Sequence, residues 1–434
     1  MTDPSLSSAQ YDAMAQKWVL PQTLMGGTPA MRAAGARFLP RHPAESSPVY
    51  AERAKRAVLR NYYRRTVQKI VGRVFSNPVI PDAHMPGSLK GYLQNIDMTG
   101  RGMTSFAQSW FQDALVCGLS YVLVDFPDMS KARAGDARPY AVHIPAERLI
   151  ATQWENSGAG PQLVQIRIRE TVTGYQDFTE QASDQIRVLE PHQWRLYRKS
   201  DKEGWQLVDQ GENSLGEIPL VTLYANRTGL MQATPPLEDL AYMNLEHYQI
   251  RSDQRNALNV ASFPILAASG YDPEIDGPIE VGPNKVLTTS DTDGKYYYVE
   301  STGAALEAGA RELAALEKSI QLFGLQFEAG SSPESATGRA LDAADAMSPI
   351  TAMIMELEDS LNRVLRLFAK WSGIDAYGSL QIQEGTAMVG QNSTSVGDLL
   401  SLMQAGAISL DQLRDQLNTS GILKDRISFN AASD

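Results

Sequence analysis

One cysteine, Cys117, stands in a chain of 434 residues, so no disulfide can close within it. Its neighbourhood, DALVCGLSYVLVDF, is apolar. A thiol in that setting is expected to be buried and inert, since burial disfavours the thiolate that would do chemistry. A disulfide-free chain also fits a reducing compartment. Histidines number five, at 42, 84, 143, 192 and 247, with no pair at metal-ligand spacing. No GxxxxGKS/T, GxGxxG or GxSxG occurs, which removes the phosphate-binding loop, the dinucleotide fingerprint and the nucleophile elbow. Neither a catalytic constellation, a cofactor nor a metal site is therefore expected. No apolar run approaches the ~20 residues of a membrane span. The first residues, MTDPSLSSAQYD, carry no signal-peptide core. The expectation is a soluble protein, made inside the cell, with no membrane partner. Basic residues number 39 against 50 acidic ones, a net charge of −11, which argues against a whole-molecule grip on nucleic acid.

What is present is a folded composition, 43% hydrophobic and 21% charged, in a chain too long for one core. Residues 1–48 hold one short helix candidate and then GGTPAMRAAGARFLPRHPAESSP, which reads as a long arm over the surface. Residues 50–75 keep a helical apolar period, with Arg and Lys at most other positions. That basic face is either solvated or in contact with phosphate, and the sequence leaves both open. A helix over 102–117 runs into the buried strand SYVLVDFP. The segments YAVHI, LVQIRIRET, QIRVLE, QWRLYRK, GWQLVDQG and IPLVTLY follow with turn residues between them. Residues 115–225 are thus a mostly antiparallel β region, with DKEG as one hairpin turn. The fold class is α+β.

The stretch LEDLAYMNLEHYQIRSDQRNALNVASFP begins as a core helix, with Leu237, Leu240, Ala241, Leu245 and Tyr248 on one stripe. Then QIRSDQRN offers one apolar residue in eight without breaking the helix. A helix polar all round bridges something or crosses water. His247 is expected to be solvated or at an interface. Residues 263–303 form a small β module with a hairpin at Asp293-Gly294, and a second helix over 304–324 returns. TSDTDGKYYYVE partly fits a calcium loop, but Thr stands at its first position and YYYV forms strand, so the hairpin is preferred. After LQFEAGSSPESATG comes a helix over 339–372, restarted at Pro349 with Ser348 as N-cap. The last two short helices read as a structural hairpin, because LRDQLNTSGIL offers only Arg414 for DNA readout.

In this order the pieces resemble the portal proteins of tailed bacteriophages. The resemblance is carried by GTPAMRAAGARFLPRHPAESSPVYAERAKRAVLRNYYRRTVQKIVGRVF, VCGLSYVLVDFP, EIPLVTLYANRTG, PPLEDLAYMNLEHYQIRSDQRNAL, FPILAASG and ESATGRALDAADAMSPITAMIMELEDSLNRVLRLFAKWSG. It implies a portal fold: arm and wing over 1–234, stem helices over 235–262 and 304–325, a clip over 263–303, a tunnel loop over 326–338, a long kinked wing helix over 339–375 and a helical crown over 376–434. It also implies a ring of about twelve subunits at one capsid vertex, within the major capsid protein shell. Double-stranded DNA would pass through its channel, and the ring would be assembled in the host bacterial cytoplasm. The terminase large subunit and later a head–tail connector would dock on the clip, through Asp272, Glu274, Asp276 and Glu280. Gly330, Ser331, Ser332, Glu334, Thr337 and Arg339 would line the channel at the tunnel loop. The belt QIRSDQRN would face neighbouring subunits and the channel. A net acidic tube would keep DNA from gripping the wall. The rival readings are a nucleic-acid-processing enzyme or packaging ATPase, disfavoured by the missing phosphate-binding loop, and a monomeric binding scaffold without a channel.

Overall fold

Helix α6 (Met103–Cys117) buries one face, through Phe106, Trp110, Phe111, Ala114 and Leu115, and keeps Ser105, Gln108 and Ser109 exposed on the other. Such a helix is expected to lay its apolar face against a core. In the computed structural model it does, and it leads through Gly118 into strand β2 (Leu119–Asp125), the middle of a three-stranded antiparallel sheet. Strands β3 (Tyr140–Ile144) and β9 (Leu220–Tyr224) flank it, with Tyr121 opposite both Ile144 and Thr222. The structure describes residues 3–127, 137–158, 160–200, 204–262, 265–272, 274–279, 286–289, 291–299, 303–329 and 348–382.

Between β3 and β9 the chain makes a second sheet, a meander of β4 (Leu149–Ser157), β5 (Gly160–Gln176), β6 (Thr179–Leu189), β7 (Gln193–Ser200) and β8 (Gly204–Glu212). The expected strands are all present, and Ser200 opposite Gly204 places the hairpin where DKEG stands. Strand β4, LIATQWENS, has no counterpart in the sequence reading, because only its first three residues are buried and its outer half is polar. The buried ends of these strands, Ile166, Ile168, Ile186 and Val188, anchor the sheet to the body.

The N-terminal arm is a correction. The expected ordered arm does not run over the surface: α1 (Ala9–Met25) and α2 (Gly27–Ala34) enter the core. Trp18 is buried and its indole N–H donates to the Cys117 carbonyl at 2.7 Å, while Leu24, Met31 and Leu39 are buried. Pro21 sits inside α1. Burial of Trp18, Leu20 and Leu24 outweighs the backbone hydrogen bond that Pro removes. The single helix expected over 50–75 is also two. Helix α3 (Ser47–Arg56) ends where Ala57 turns extended, and α4 (Tyr62–Val74) restarts with Asn61 as N-cap, accepting from the Arg64 amide at 2.8 Å. The break is held from outside: buried Asn244 donates to the Arg60 carbonyl and accepts from the Tyr63 amide, both at 2.9 Å. Periodicity cannot see such a partner, which lies about 180 residues away.

Helix α7 (Glu238–Ala261) and helix α8 (Ala304–Ala329) form a packed pair. They run antiparallel, since His247 meets Glu317 and Gln254 meets Leu306. Between them the insertion closes on itself through β12 (Ile265–Ser269) and β13 (Lys295–Val299), with Ile265 opposite Val299. The expected hairpin ladder at Asp293-Gly294 is not what forms. The turn is there, with the Gly294 amide donating to the Asp291 carbonyl at 3.1 Å, but the partner of β13 is the first strand of the module. Helix α9 (Pro349–Ser372) begins as expected, Ser348 accepting from the Thr351 amide at 3.2 Å. Its stripe of Ile350, Met353, Ile354, Leu357, Leu361, Val364, Leu365 and Phe368 is buried against the body. The remaining short elements are α5 (Gly87–Leu93), the pair β1 (Val79–Pro81) with β14 (Leu380–Ile382), and the pair β10 (Arg227–Gly229) with β11 (Gln232–Ala233). Of the expected helical crown only 376–382 are described, and there 380–382 form a strand that pairs with β1; 383–434 and the first part of the long wing helix, 339–347, lie outside the described residues.

Candidate functional site

The polar belt of α7 is the feature the sequence singled out, and its surroundings correct the reading. His247 is neither solvated nor facing another subunit. It is fully buried, and its Nε2 sits 3.0 Å from Glu317 on α8. Burial pulls its pKa below the usual histidine value, against the pull of Glu317. Arg60 donates to the same carboxylate at 2.6 Å. Hydrogen bonds from His247, Tyr62 and Arg60 hold Glu317 below the ordinary carboxylate range, the first being the largest. Gln249 donates to the Phe38 carbonyl at 2.9 Å and Gln254 to the Leu306 carbonyl at 2.6 Å. Asp253 receives Arg53 at 3.2 Å and lies 3.1 Å from His42. Gln249, Asp253 and Gln254 of QIRSDQRN therefore bind the chain's own arm, α3 and α8, and hydrogen bonds of this kind let a polar helix pack against its own chain. Removing the shared acceptor, Glu317→Ala, should cost about 1–3 kcal/mol by leaving His247 unpaired in the stem. Urea unfolding checks it, and a midpoint equal to that of wild type would show that this contact holds nothing together.

The basic residues of α3 and α4 resolve in part. Arg53 is buried on Glu45 and Asp253, Arg60 is spent on Glu317 and Arg56 lies 3.5 Å from Glu52. Arg53 and Arg56 also line a cavity of about 540 Å³ with Arg251, Ser252, Arg255 and Asn259 of α7. No sequence signal pointed to this group, because its two halves lie about 200 residues apart.

Of the four acids expected on the clip, three are described and one turn gathers them. Asp272 and Glu274 are exposed, Asp276 is half-buried, and Glu280 lies outside the described residues. The Asp272 amide donates to the Asp276 carboxylate at 2.9 Å and the Glu274 amide to the Asp272 carboxylate at 3.0 Å. The sequence reading missed the module's apolar surface. Val286 is 85% exposed, Ile275 69%, and Tyr297, Tyr298 and Val299 about half. Strand β13 buries neither face fully, so its KYYYV run presents side chains that a core would normally take. The six tunnel-loop positions, Gly330, Ser331, Ser332, Glu334, Thr337 and Arg339, lie outside the described residues.

Two constellations arise only in three dimensions. Asp113, Cys117 and Glu147 bring one ligand atom each within 4.8 Å of one another. Their polar atoms already have protein partners. Gln22 donates to Glu147 at 3.1 Å and to the Cys117 sulfur at 3.6 Å, and Ser120 and the Ala146 amide donate to Asp113. Burial pushes the Cys117 thiol well up, as expected of an inert sulfur. Ser120 lies 2.7 Å from Asp113 and 2.9 Å from His143 Nε2. The carboxylate can only accept, so the hydroxyl donates to it and accepts from Nε2–H. An imidazole protonated at that atom cannot take the serine proton, and the group is structural. Among the described residues no helix is long and apolar enough to cross a membrane.

Residues 236–372, which run from just before α7 to the end of α9, match a family model described as "Domain of unknown function (DUF4055)". No curated protein matches the chain. Solved structures of similar shape come from gene transfer agent particles. One chain, from the virion of a native particle, is 12% identical with a TM-score of 0.44. A second, from the neck of a native particle computed with C12 symmetry, is 14% identical with a TM-score of 0.46. A third, from the neck of an empty particle computed with C6 symmetry, is 13% identical with a TM-score of 0.43. In each case the match covers 82% of this chain and 89% of the other.

Proposed function

We propose that the chain is the subunit of a portal ring: about twelve copies close head to tail at one capsid vertex of a phage-like particle and surround the channel through which DNA enters and leaves. The observation that carries this reading is the strut. Two antiparallel helices leave a large core, carry a small β module at their far end and return. A chain gains nothing for its own core from a module held out in this way. Exposed Val286, Ile275 and Tyr298 on that module, next to exposed Asp272 and Glu274, fit a docking surface with an apolar centre and charged rim. In this reading the module is the clip, which receives the terminase large subunit and then a head–tail connector. In the same reading the tunnel loop is 330–337, since α8 runs on to Ala329, and its Ser and Thr hydroxyls touch DNA without holding it. The particle, and not a membrane, is the protein's place of work.

Native mass spectrometry of the purified protein tests the ring. A monomer is 47.6 kDa and a twelve-fold ring on the order of 570 kDa. A folded protein that stays monomeric at micromolar concentration would favour the binding scaffold and overturn the portal reading. Serine at Asp272, Glu274, Asp276 and Glu280 should leave the ring intact and weaken motor or connector binding, since rim charges mainly steer association. Unchanged association rates in that variant would remove the acids from the docking surface. Shortening 330–337 should likewise spare assembly and impair packaging, and shortened-loop particles that fill normally would make this segment a plain linker.

A further inference from the structure

The cavity between α3 and α7 lacks its ligand's charge. Arg251, Arg255 and Arg56 line it together with Ser252, Asn256 and Asn259. Arg53, also on its wall, is already committed to Glu45 and Asp253. Two buried donors have no hydrogen-bond partner among the described residues: Arg251 Nη1 and the hydroxyl of Ser252, a residue 7% exposed. An orphaned guanidinium nitrogen and an orphaned hydroxyl in one wall call for an acceptor that the chain itself does not supply. Burial, then repulsion from Arg60 and Arg255, draws the Arg251 guanidinium below its usual range, against the pull of Tyr62 and Glu317.

The shape of the pocket selects the kind of acceptor. Val58 and Leu258 stand at its walls, 42% and 47% exposed. Apolar side chains beside arginines suit a protein surface, where aliphatic contacts surround a charged pair. They offer nothing to a DNA backbone. The chain has such a surface elsewhere. On α8 the exposed residues Ala308, Glu312, Ala315 and Ser319 follow spacings of four, three and four, so they form one face. On that face Glu312 is the one carboxylate, set among small side chains that let a partner approach closely, with exposed Arg311 beside it and Leu322 at its end. On α7 the pocket residues Arg255 and Asn259 lie on a different side from His247 and Gln254, which hold α8, and Arg251, four residues after His247, stands at the seam between the pocket and α8. Each subunit therefore offers the arginine pocket and the Glu312 face at the same time.

We propose that the pocket is a carboxylate receptor for a second copy of this chain, filled by Glu312 of the neighbouring subunit. The contact is heterologous, pocket to face, and so can close a ring. Arg251 Nη1, Arg255 and Ser252 Oγ bind the carboxylate, while Val58 and Leu258 cover the small residues around it. The inference rests on the ring reading and names the contact that sets its register.

Native mass spectrometry tests it with four proteins: wild type, Arg251→Glu/Arg255→Glu, Glu312→Arg, and the chain carrying all three changes. The pocket double variant and Glu312→Arg should each lower the assembled fraction at least ten-fold, with far-UV circular dichroism unchanged. The triple variant should recover at least half of it, because the charges are exchanged across the same contact. Arg255→Glu alone, at an exposed position, replaces the double variant if that one fails to fold. Rings in every variant would overturn this contact and leave the ring reading standing. A monomeric wild type would overturn both. A pocket variant that forms rings but no longer retains DNA would make the site a phosphate receptor and overturn the proposal in favour of nucleic acid.

Discussion

Arg53→Met is expected to cost about 3–5 kcal/mol, because it leaves a buried carboxylate without its counter-charge. The Arg53 side chain is 2% exposed and that of Glu45 6%. Arg53 Nε and Nη2 donate to the two Glu45 oxygens, both at 2.8 Å, in a fork that lysine could not reproduce. Nη2 also donates to the Pro40 carbonyl at 2.8 Å, and Nη1 to Asp253 on α7 at 3.2 Å. One side chain thus ties the arm and α3 to α7. Hydrogen bonding to Arg53 holds the Glu45 carboxyl below its ordinary value. A depressed folded pKa gives stability that is present above the unfolded carboxylate pKa and lost as pH falls through the folded one. In the variant this contribution is gone and the stranded carboxylate gains from protonation. The penalty should therefore be largest at pH 7 and shrink towards pH 4. Urea unfolding at both pH values measures it. Arg53→Met combined with Glu45→Met should recover most of the loss, since the stranded charge is removed as well. A single variant within 1 kcal/mol of wild type at pH 7 would show that the pair is solvated.

The second large effect is expected at Gly118. Its φ is +93°, and a Cβ built there would lie 2.5 Å from the Thr234 carbonyl oxygen and 2.6 Å from the carbonyl carbon. Those are backbone atoms, which no rotamer change can move aside. Gly118 ends α6, its amide donating to the Ala114 carbonyl at 2.7 Å, and its own carbonyl accepts from the amides of Ala225 and Asn226. The helix end, the start of β2 and the chain entering α7 therefore cross at one point without room for a side chain. Gly118→Ala should destabilise by about 3–5 kcal/mol, the sum of an unfavourable backbone region and overpacking against a fixed neighbour. Gly72→Ala is the control. Gly72 lies inside α4 with nothing within 4 Å of the added carbon, so it should be neutral or stabilising by up to about 1 kcal/mol. Equal unfolding midpoints for the two variants would mean that the crossing yields, and that Gly118 is not required by the fold.

These two positions mark where reading the chain as a line runs out. GLS in VCGLSYVLVDFP shows that a helix stops and a strand begins. It does not show that Thr234 occupies the space a Cβ would need. Arg53 reads as one more basic residue on a helix face until Glu45, Pro40 and Asp253 close around it. His247 reads as a polar residue on a polar belt, yet it is buried because α8 returns with Glu317 opposite it. The arm misled for the same reason: Gly, Pro and Ala in GGTPAMRAAGARF suggest an ordered arm over the surface, but Met31 is fully buried and the preceding Trp18 reaches the Cys117 carbonyl.

The sequence by itself determined the pieces whose signals are local. Period-two and period-3.6 patterns placed α6, β2, β3, β5 to β9, α7 and α8, because each pattern is set by the geometry of one element. Side-chain chemistry within four residues placed the Ser348 cap of α9. The order helix, small β module, helix was legible too, and with it the strut on which the portal reading rests. Tertiary structure alone decided how polar groups were spent. Which arginines are buried in ion pairs, which belt residues meet the arm, and which donors are left without a partner in the cavity of α3 and α7 all depend on residues far apart in the chain. A charged group's role is fixed by what lies within a few ångströms of it, and sequence spacing does not encode that distance.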